Sequence, residues 1–243
     1  MFPYTHVYAT HKILETKDPL VIYGSIVPDL AATGLIPWGM IDSTSLEFRK
    51  YLIKNNKKLS KISMGIMLHE NPCGIDRFTH TAYKGKTGYA YQKAKQLLLK
   101  EPLMILTLRK DAFRIAHNFI ETGVEYMVVK NNKEIVKLLK NTVKEINEKE
   151  IAKAISNFYG TGLKKTEKAI KEYNKMITNN DSSTVEGLTD MWIEMAKLTG
   201  KNPKKKTIKR IIEKSIEIVK PDYKEFLNYS INRCKQDIKE YIK

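Results

Sequence analysis

Cysteine is scarce in this chain, and long apolar runs are missing. Only two of its 243 residues are cysteines, Cys73 and Cys234, and a disulfide framework requires more. We therefore expect reduced thiols and no disulfide-linked partner. The fairly apolar stretch 19–41 contains Asp29 and several prolines, which does not suit a membrane span. The N-terminus has no basic region followed by an apolar run, so no signal peptide is expected. These absences predict a cytoplasmic protein.

Histidine is also scarce, and it is unevenly distributed. The chain has five histidines, and all of them precede residue 118. The second half of the chain has none. This asymmetry favours a functional site that is built by the N-terminal half.

Acidic residues are outnumbered by basic ones. The chain has 43 Lys and Arg against 27 Asp and Glu, which gives a net charge of +16. Such a balance favours an anionic partner: a phosphate-ester substrate (phospholipid or nucleotide) or an anionic surface. The lysines are spread over most predicted helices, however, which is typical of a solvated surface. The basic cluster at 201–210 has no interleaved aromatic residues, so we interpret it as a solvated helix face rather than a nucleic-acid patch.

What the sequence does contain is helical periodicity along most of its length. No segment has a convincing strand pattern, and no internal repeat is visible. The sequence therefore predicts an all-α fold, a compact multi-helix domain that spans residues 1–243. Residues 1–128 would form the half with the metal site, and residues 129–243 a lysine-rich helical half.

Local signals predict individual elements. We expect a helix at 5–16 capped by Thr5, an irregular connector at 18–39, and a helix from a capping box at 44–47 to about residue 54. Further helices are predicted at 59–69, 89–100 and 102–130, with a short turn at 76–80. Beyond residue 131, helices are separated by breaks near residues 160, 180, 201 and 221.

The predicted helix at 102–130 carries a pair of potential metal ligands. Its apolar stripe comprises Phe113, Ala116, Ile120, Val124 and Met127. His117 and Glu121 are four residues apart, so both side chains lie on one helix face. An imidazole and a carboxylate on successive turns can bind one metal ion, although a buried His–Glu hydrogen bond would use the same spacing. Asp76 and His80 repeat the spacing with the carboxylate first.

An ordered set of segments resembles a known family. The segments are Thr5–Ala9, Gly24–Asp29, Gly65–His69 followed by Asp76 and His80, and Ala116–Glu121. Together they resemble the zinc-dependent phospholipase C family, whose all-α fold is similar to that of the zinc-dependent single-strand nucleases. The resemblance covers roughly residues 1–128, and we interpret the remainder as helical scaffold.

The resemblance implies a zinc cluster and its ligands. In the order of the chain, the implied ligands are His6, Asp29, His69, Asp76, His80, His117 and Glu121. Asp76 would bridge two ions, and the last three residues would together hold another ion. Secreted members begin with a tryptophan that binds zinc, whereas this chain has Met1, so we expect two or three ions. Mn²⁺ or Fe²⁺ are alternatives to Zn²⁺.

The implied reaction is hydrolysis of a phosphodiester by metal-activated water. Asp29 would orient or deprotonate the water as the general base. Arg77, Lys84 and Lys86 flank the implied site, but a solvated loop is the simpler interpretation. Because the gap from His69 to Asp76 is longer than in the family, Glu70 and Cys73 remain alternatives to Asp76. Glu125 is either a hydrogen-bond acceptor for a ligand imidazole or part of a solvated helix face.

Three functions are therefore open. The first is a zinc-dependent hydrolase of phosphodiesters or phospholipids. The second is a zinc-dependent single-strand nuclease. The third is a helical protein that binds metal without catalysis.

Overall fold

The computed structural model describes residues 3–102, 104 and 109–241, and within them the protein is all-α, as predicted. The α-helices are α1 (Pro3–Leu14), α2 (Pro19–Gly24), α3 (Ser45–Asn55), α4 (Ile62–Met67), α5 (Tyr89–Lys100), α6 (Ala112–Asn131), α7 (Lys133–Glu145), α8 (Glu148–Tyr159), α9 (Leu163–Asn179), α10 (Val185–Leu198), α11 (Lys205–Val219) and α12 (Tyr223–Asp237). Short 3₁₀ helices lie at Pro28–Thr33, Asp42–Thr44, Leu59–Lys61, Arg109–Asp111 and Ile238–Glu240, and a π-helical turn lies at Arg77–Thr81. Over the same residues the chain forms no strand, only an isolated antiparallel bridge between Tyr83 and Lys86.

Helix α6 is the centre of the fold. It packs against α5, α11 and α1, and α11 packs in turn against α10. The predicted stripe is buried at Ala116, Ile120, Val124 and Met127, but Phe113 at its start is 36% exposed. Phe113 lies in the first turn of the helix, where its ring lies against Tyr91.

One hydrophobic core runs through the whole described chain. It includes residues from Tyr4 in α1 to Ile238 in the last 3₁₀ helix. Helices α8 and α9 pack on each other, and α9 also packs on the 3₁₀ helix Pro28–Thr33. The C-terminal half thus lies directly against the segment that contains Asp29. Within the described residues, no helix combines the length and the apolar character needed to cross a membrane.

Several predicted elements need correction. The connector at 18–39 contains α2 and a 3₁₀ helix; the start signal that was overlooked is Asp18, whose Oδ1 accepts a hydrogen bond from Leu20 N at 3.0 Å ahead of Pro19. The helix predicted at 59–69 begins as a 3₁₀ turn and ends at Met67. Of the helix predicted at 102–130, residues 103 and 105–108 lie outside the described chain, and α6 starts only at Ala112.

Two predicted helix caps are also wrong. Thr5 lies inside α1, which begins at Pro3. Thr44 precedes α3 as expected, but its hydroxyl donates to Met40 O at 3.0 Å instead of capping the helix. The predicted helix at 89–100 is confirmed at both ends.

Candidate metal centre

A crossing of two short helices positions His69. At the contact of α2 with α4, a Cβ on Gly24 would lie 2.0 Å from Ile62 O, and one on Gly65 would lie 2.1 Å from Val21 O. Only glycine allows two backbones to approach this closely. The crossing places the carbonyl of Ser25, just after α2, beside the ring of His69, just after α4.

The hydrogen bond formed there fixes the tautomer of His69. His69 Nδ1 lies 2.7 Å from Ser25 O, and because a carbonyl only accepts, Nδ1 must donate. Burial lowers the pKa of His69 well below its ordinary value, so the ring is neutral and Nε2 keeps a lone pair. That lone pair points towards carboxylates: Nε2 lies 3.7 Å from Asp29 Oδ1 and 3.7 Å from Asp76 Oδ2.

Backbone hydrogen bonds bring Asp76 back to His69 across the intervening loop. Asp76 N donates to His69 O at 2.9 Å, and Gly74 N donates to Glu70 O at 2.8 Å. A Cβ on Gly74 would lie 2.2 Å from the carbonyl carbon of His69, so the loop closes tightly on itself. The residues between His69 and Asp76 therefore form a compact loop that brings the two side chains together.

A single oxygen of Asp76 faces three imidazoles. Asp76 Oδ2 lies 3.5 Å from His6 Nε2, 3.7 Å from His69 Nε2 and 4.0 Å from His80 Nε2. The rings of His6 and His69 are stacked with their centroids 3.7 Å apart. In His6, Asp76 and His69, one potential ligand atom of each lies within 4.8 Å of the other two.

A second group lies beside the first. His80, His117 and Glu121 also bring one ligand atom each within 4.8 Å of the others. His80 Nε2 lies 2.7 Å from Glu121 Oε1, and His117 Nε2 lies 3.9 Å from the same oxygen. Burial alone would lower the pKa of His80, but Asp76, Glu121 and Glu70 raise it to about 10, so this ring carries a proton.

His69 and Asp76 of the first group and all three residues of the second group line one cavity of about 350 Å³, while His6 lies behind its wall, fully buried. Of the seven predicted ligands, six lie in the two groups, and Asp29 lies on the cavity wall beside His69. Tyr173 of α9 donates its hydroxyl to Asp29 Oδ2 at 3.3 Å. Burial, with Asp76 and Asp42 nearby, raises the pKa of Asp29 well above its ordinary value.

The chemistry of this donor set fits a metal cation. Neither ring nitrogen of His6, nor Nδ1 of His117, has a hydrogen-bond partner among the described residues. Buried imidazoles and carboxylates gathered in this way are costly unless a proton or cation lies between them. Neutral imidazole nitrogen and carboxylate oxygen are ligands that zinc accepts.

Sequence reasoning overlooked one acidic residue and one tyrosine of the cavity. Asp42, in a 3₁₀ turn, lines the cavity, and burial with Glu70 and Asp76 nearby raises its pKa to about 8. Glu70, which the sequence offered only as an alternative to Asp76, lines the cavity as well, with its Oε1 3.4 Å from His80 Nδ1. Tyr173 lies in the half that was interpreted as scaffold. None of the three has a spacing signal in the sequence, because each reaches the cavity by tertiary packing.

Other residues that were considered for the site lie elsewhere. Cys73 Sγ donates to Met67 O at 3.5 Å, as expected of a small buried residue. Arg77 pairs with Asp237, and Lys84 pairs with Glu225, so both contact the C-terminal helix α12.

Glu125 has a different role from either interpretation of the sequence. Its carboxylate accepts hydrogen bonds from Tyr4 N at 2.9 Å, Thr5 N at 2.7 Å and Thr5 Oγ1 at 2.6 Å. Glu125 therefore caps the N-terminus of α1 from the centre of α6 and fixes the backbone next to His6. Burial raises the pKa of Glu125 to about 7, although these hydrogen bonds oppose the change.

Comparison of the chain with protein-family models, with curated proteins and with solved structures gives no match.

Proposed function

We propose that the protein is a metal-dependent hydrolase of phosphate esters that holds zinc in the cavity, in the manner of a phospholipase C. The observation that carries the proposal is the convergence of three imidazole nitrogens on one carboxylate oxygen, Asp76 Oδ2. Asp76 belongs to the first group, and its Oδ2 also lies 4.0 Å from His80 Nε2 of the second group, so Asp76 could contribute to both.

A bound zinc ion supplies a water of lowered pKa and neutralises the charge of the phosphoryl oxygens. The side chains of the site would hold the metal ions and accept the proton. His6, His69 and Asp76 would hold one ion, and His80, His117 and Glu121 another. Asp29 accepts the proton of the attacking water, and the Tyr173 hydroxyl orients the Asp29 carboxyl group through the hydrogen bond to Oδ2. The new P–O bond forms as the ester P–O bond breaks, and the leaving alcohol is protonated from solvent.

An apolar cleft next to the cavity favours a lipid substrate over a nucleic acid. The cleft has a volume of about 700 Å³ and shares Ala32, Trp38, Arg114, Asn118 and Met195 with the cavity. Its apolar wall includes the stacked rings of Phe119 and Trp192. A hydrocarbon chain gains free energy by burial on such a wall, and Lys201 and Lys204, which also line the cleft, suit an anionic headgroup.

The rim of the cleft also suits an amphiphilic ligand. Trp38 at its mouth is 70% exposed, and exposed tryptophans are common where a protein meets a membrane interface. Part of the basic cluster at 201–210 is paired with acidic residues of the chain: Lys205 pairs with Glu186 and Asp190 at the surface, and Arg210 pairs with Glu101.

The proposal is tested by metal content and turnover together. Protein purified without chelator should contain about two or three metal equivalents per chain, and should hydrolyse phospholipid vesicles and a small chromogenic phosphodiester. His69→Ala and Asp76→Ala should lose both metal and turnover. His11→Ala is the matched control, because His11 lies outside the cavity with Nδ1 bonded to Thr16 O.

The remaining outcomes distinguish the hydrolase from a nuclease and from a non-catalytic metal-binding protein. A wild-type protein without metal would refute the hydrolase. Retained metal without turnover on lipid, oligonucleotide or small ester would favour a non-catalytic metal-binding protein. Faster cleavage of single-stranded DNA than of phospholipid would favour a nuclease.

A further inference from the structure

Asp42 is a buried acidic residue that the ligand set above does not include. It begins the 3₁₀ turn Asp42–Thr44 and is 8% exposed. It lines the same cavity as Asp29, His69 and Asp76. Its Oδ2 lies 4.0 Å from His69 Nε2. This is the ring nitrogen that keeps its lone pair, because Nδ1 donates the hydrogen bond to Ser25 O.

The hydrogen bonding of Asp42 is unusual for this protein. Its Oδ1 is buried and has no hydrogen-bond partner among the described residues. Buried carboxylates away from the cavity are well paired: Glu125 accepts three hydrogen bonds, and Glu101 accepts two from Arg210, at 3.0 and 2.7 Å. An unpaired carboxylate oxygen in this environment is costly. The Asp42 side chain is therefore arranged for a cation that the protein itself does not provide.

We propose that Asp42 is a further metal ligand, which acts together with His69 and Asp29 in the metal centre. The inference rests on the proposed function, since it assumes that the cavity binds metal. The Nε2 atom of His69 has three carboxylate oxygens within 4.0 Å, from Asp29, Asp42 and Asp76. One imidazole nitrogen with carboxylate oxygens is a donor set that suits zinc and harder divalent ions such as Mn²⁺.

The role of Asp42 as a ligand has a consequence for stability that a structural role would not have. An unpaired carboxylate at a metal site destabilises the metal-free protein and stabilises the metal-bound protein. Asp42→Asn should therefore raise the melting temperature of the metal-free protein. The same substitution should reduce the further rise in melting temperature that zinc produces.

The experiment measures zinc binding directly. Metal-free wild type, Asp42→Asn and Asp42→Ser are titrated with Zn²⁺ by calorimetry, and metal content is measured after purification without chelator. Asp190→Asn is the matched control, because Asp190 pairs with Lys205 on the surface. We expect Asp42→Asn to lose one metal equivalent, or to bind zinc at least about tenfold more weakly, a loss that even outer-shell partners of a metal cause. Asp42→Ser keeps a small polar group and provides the same comparison if the asparagine variant does not fold.

Failure of this inference differs from failure of the proposed function. Wild type that binds no zinc would refute both. Wild type that binds zinc, with Asp42→Asn equal to it in stoichiometry and affinity, would overturn only the role of Asp42. A metal-free Asp42→Asn protein that melts below metal-free wild type would also overturn it, because the carboxylate would then have a stabilising partner within the protein.

Discussion

At the scale of single residues, the candidate site depends on which nitrogen of His69 carries the proton. The Ser25 carbonyl requires Nδ1 to donate, so the Nε2 lone pair faces the carboxylates of the cavity. A histidine that is set in this way by an outer carbonyl is the usual arrangement of a metal ligand. The family resemblance of the sequence made His69 a candidate ligand, but only the contact with Ser25 shows which of its ring nitrogens faces the cavity.

Glu125 gives a prediction at the same scale. Its pKa is about 7 in the folded protein, above the ordinary value of about 4.3 in an unfolded chain. The folded state therefore binds more protons than the unfolded state between these values, and stability falls as the pH rises through this window. We expect the contribution of Glu125 to be fully present below about pH 4 and to be lost as the pH rises through 7.

The measurement compares wild type with Glu125→Gln in thermal unfolding from pH 4 to pH 8, both with chelator present. As the pH rises, the melting temperature of wild type should fall relative to that of Glu125→Gln. Glu134→Gln, on the exposed start of α7, is the control and should show no such shift. A constant difference across the range would contradict the raised pKa.

At the scale of elements, the crossing of α2 and α4 determines where His69 lies. A Cβ on Gly65 would lie 2.1 Å from Val21 O, a backbone atom that cannot move away by a change of rotamer. We expect Gly65→Ala to separate the two helices, to destabilise the fold by about 1–3 kcal/mol or more, and to weaken metal binding because His69 moves away from Ser25.

Urea unfolding and metal content together check this prediction. Met64→Ala on the same helix, where the side chain is only partly buried, is the control. Gly65→Ala with the stability and the metal content of wild type would show that the close crossing is not required.

At the scale of the whole molecule, the cavity and the apolar cleft form one continuous surface with Trp38 at its mouth. If this surface meets a lipid interface, Trp38→Ala should lower binding to phospholipid vesicles. It should reduce hydrolysis of vesicles several-fold more than hydrolysis of a small soluble phosphodiester. The physical reason is that an indole ring at an interface contributes to binding of the membrane and less to the reaction.

Vesicle sedimentation and parallel assays on the two substrates measure this effect. Leu99→Ala is the matched control, since Leu99 is an apolar side chain of α5 that is 83% exposed. An equal loss on both substrates would mean that Trp38 serves the reaction and not the interface.

The whole molecule also shows how far local patterns extend. The helix at 89–100, the four breaks near residues 160, 180, 201 and 221 and the facing pair of His117 and Glu121 were predictable, because helical periodicity, capping and the four-residue repeat are short-range properties. The break before α8, where Asn147 accepts a hydrogen bond from Glu150 N, was overlooked. The same signals failed where packing overrides them. Thr5 did not become a cap, because Glu125, 120 residues away in sequence, satisfies those backbone groups instead.

The sequence by itself determined the all-α class, most helix positions and the order of residues with metal-binding side chains. The tertiary structure alone decided that Asp42, Glu70 and Tyr173 reach the same cavity, that Asp76 faces three imidazoles, and that Glu125 caps the start of α1. The physical reason is range. Backbone hydrogen bonds and side-chain periodicity are encoded over a few residues, whereas the approach of Tyr173 to Asp29, 144 residues apart, depends on how every intervening helix packs.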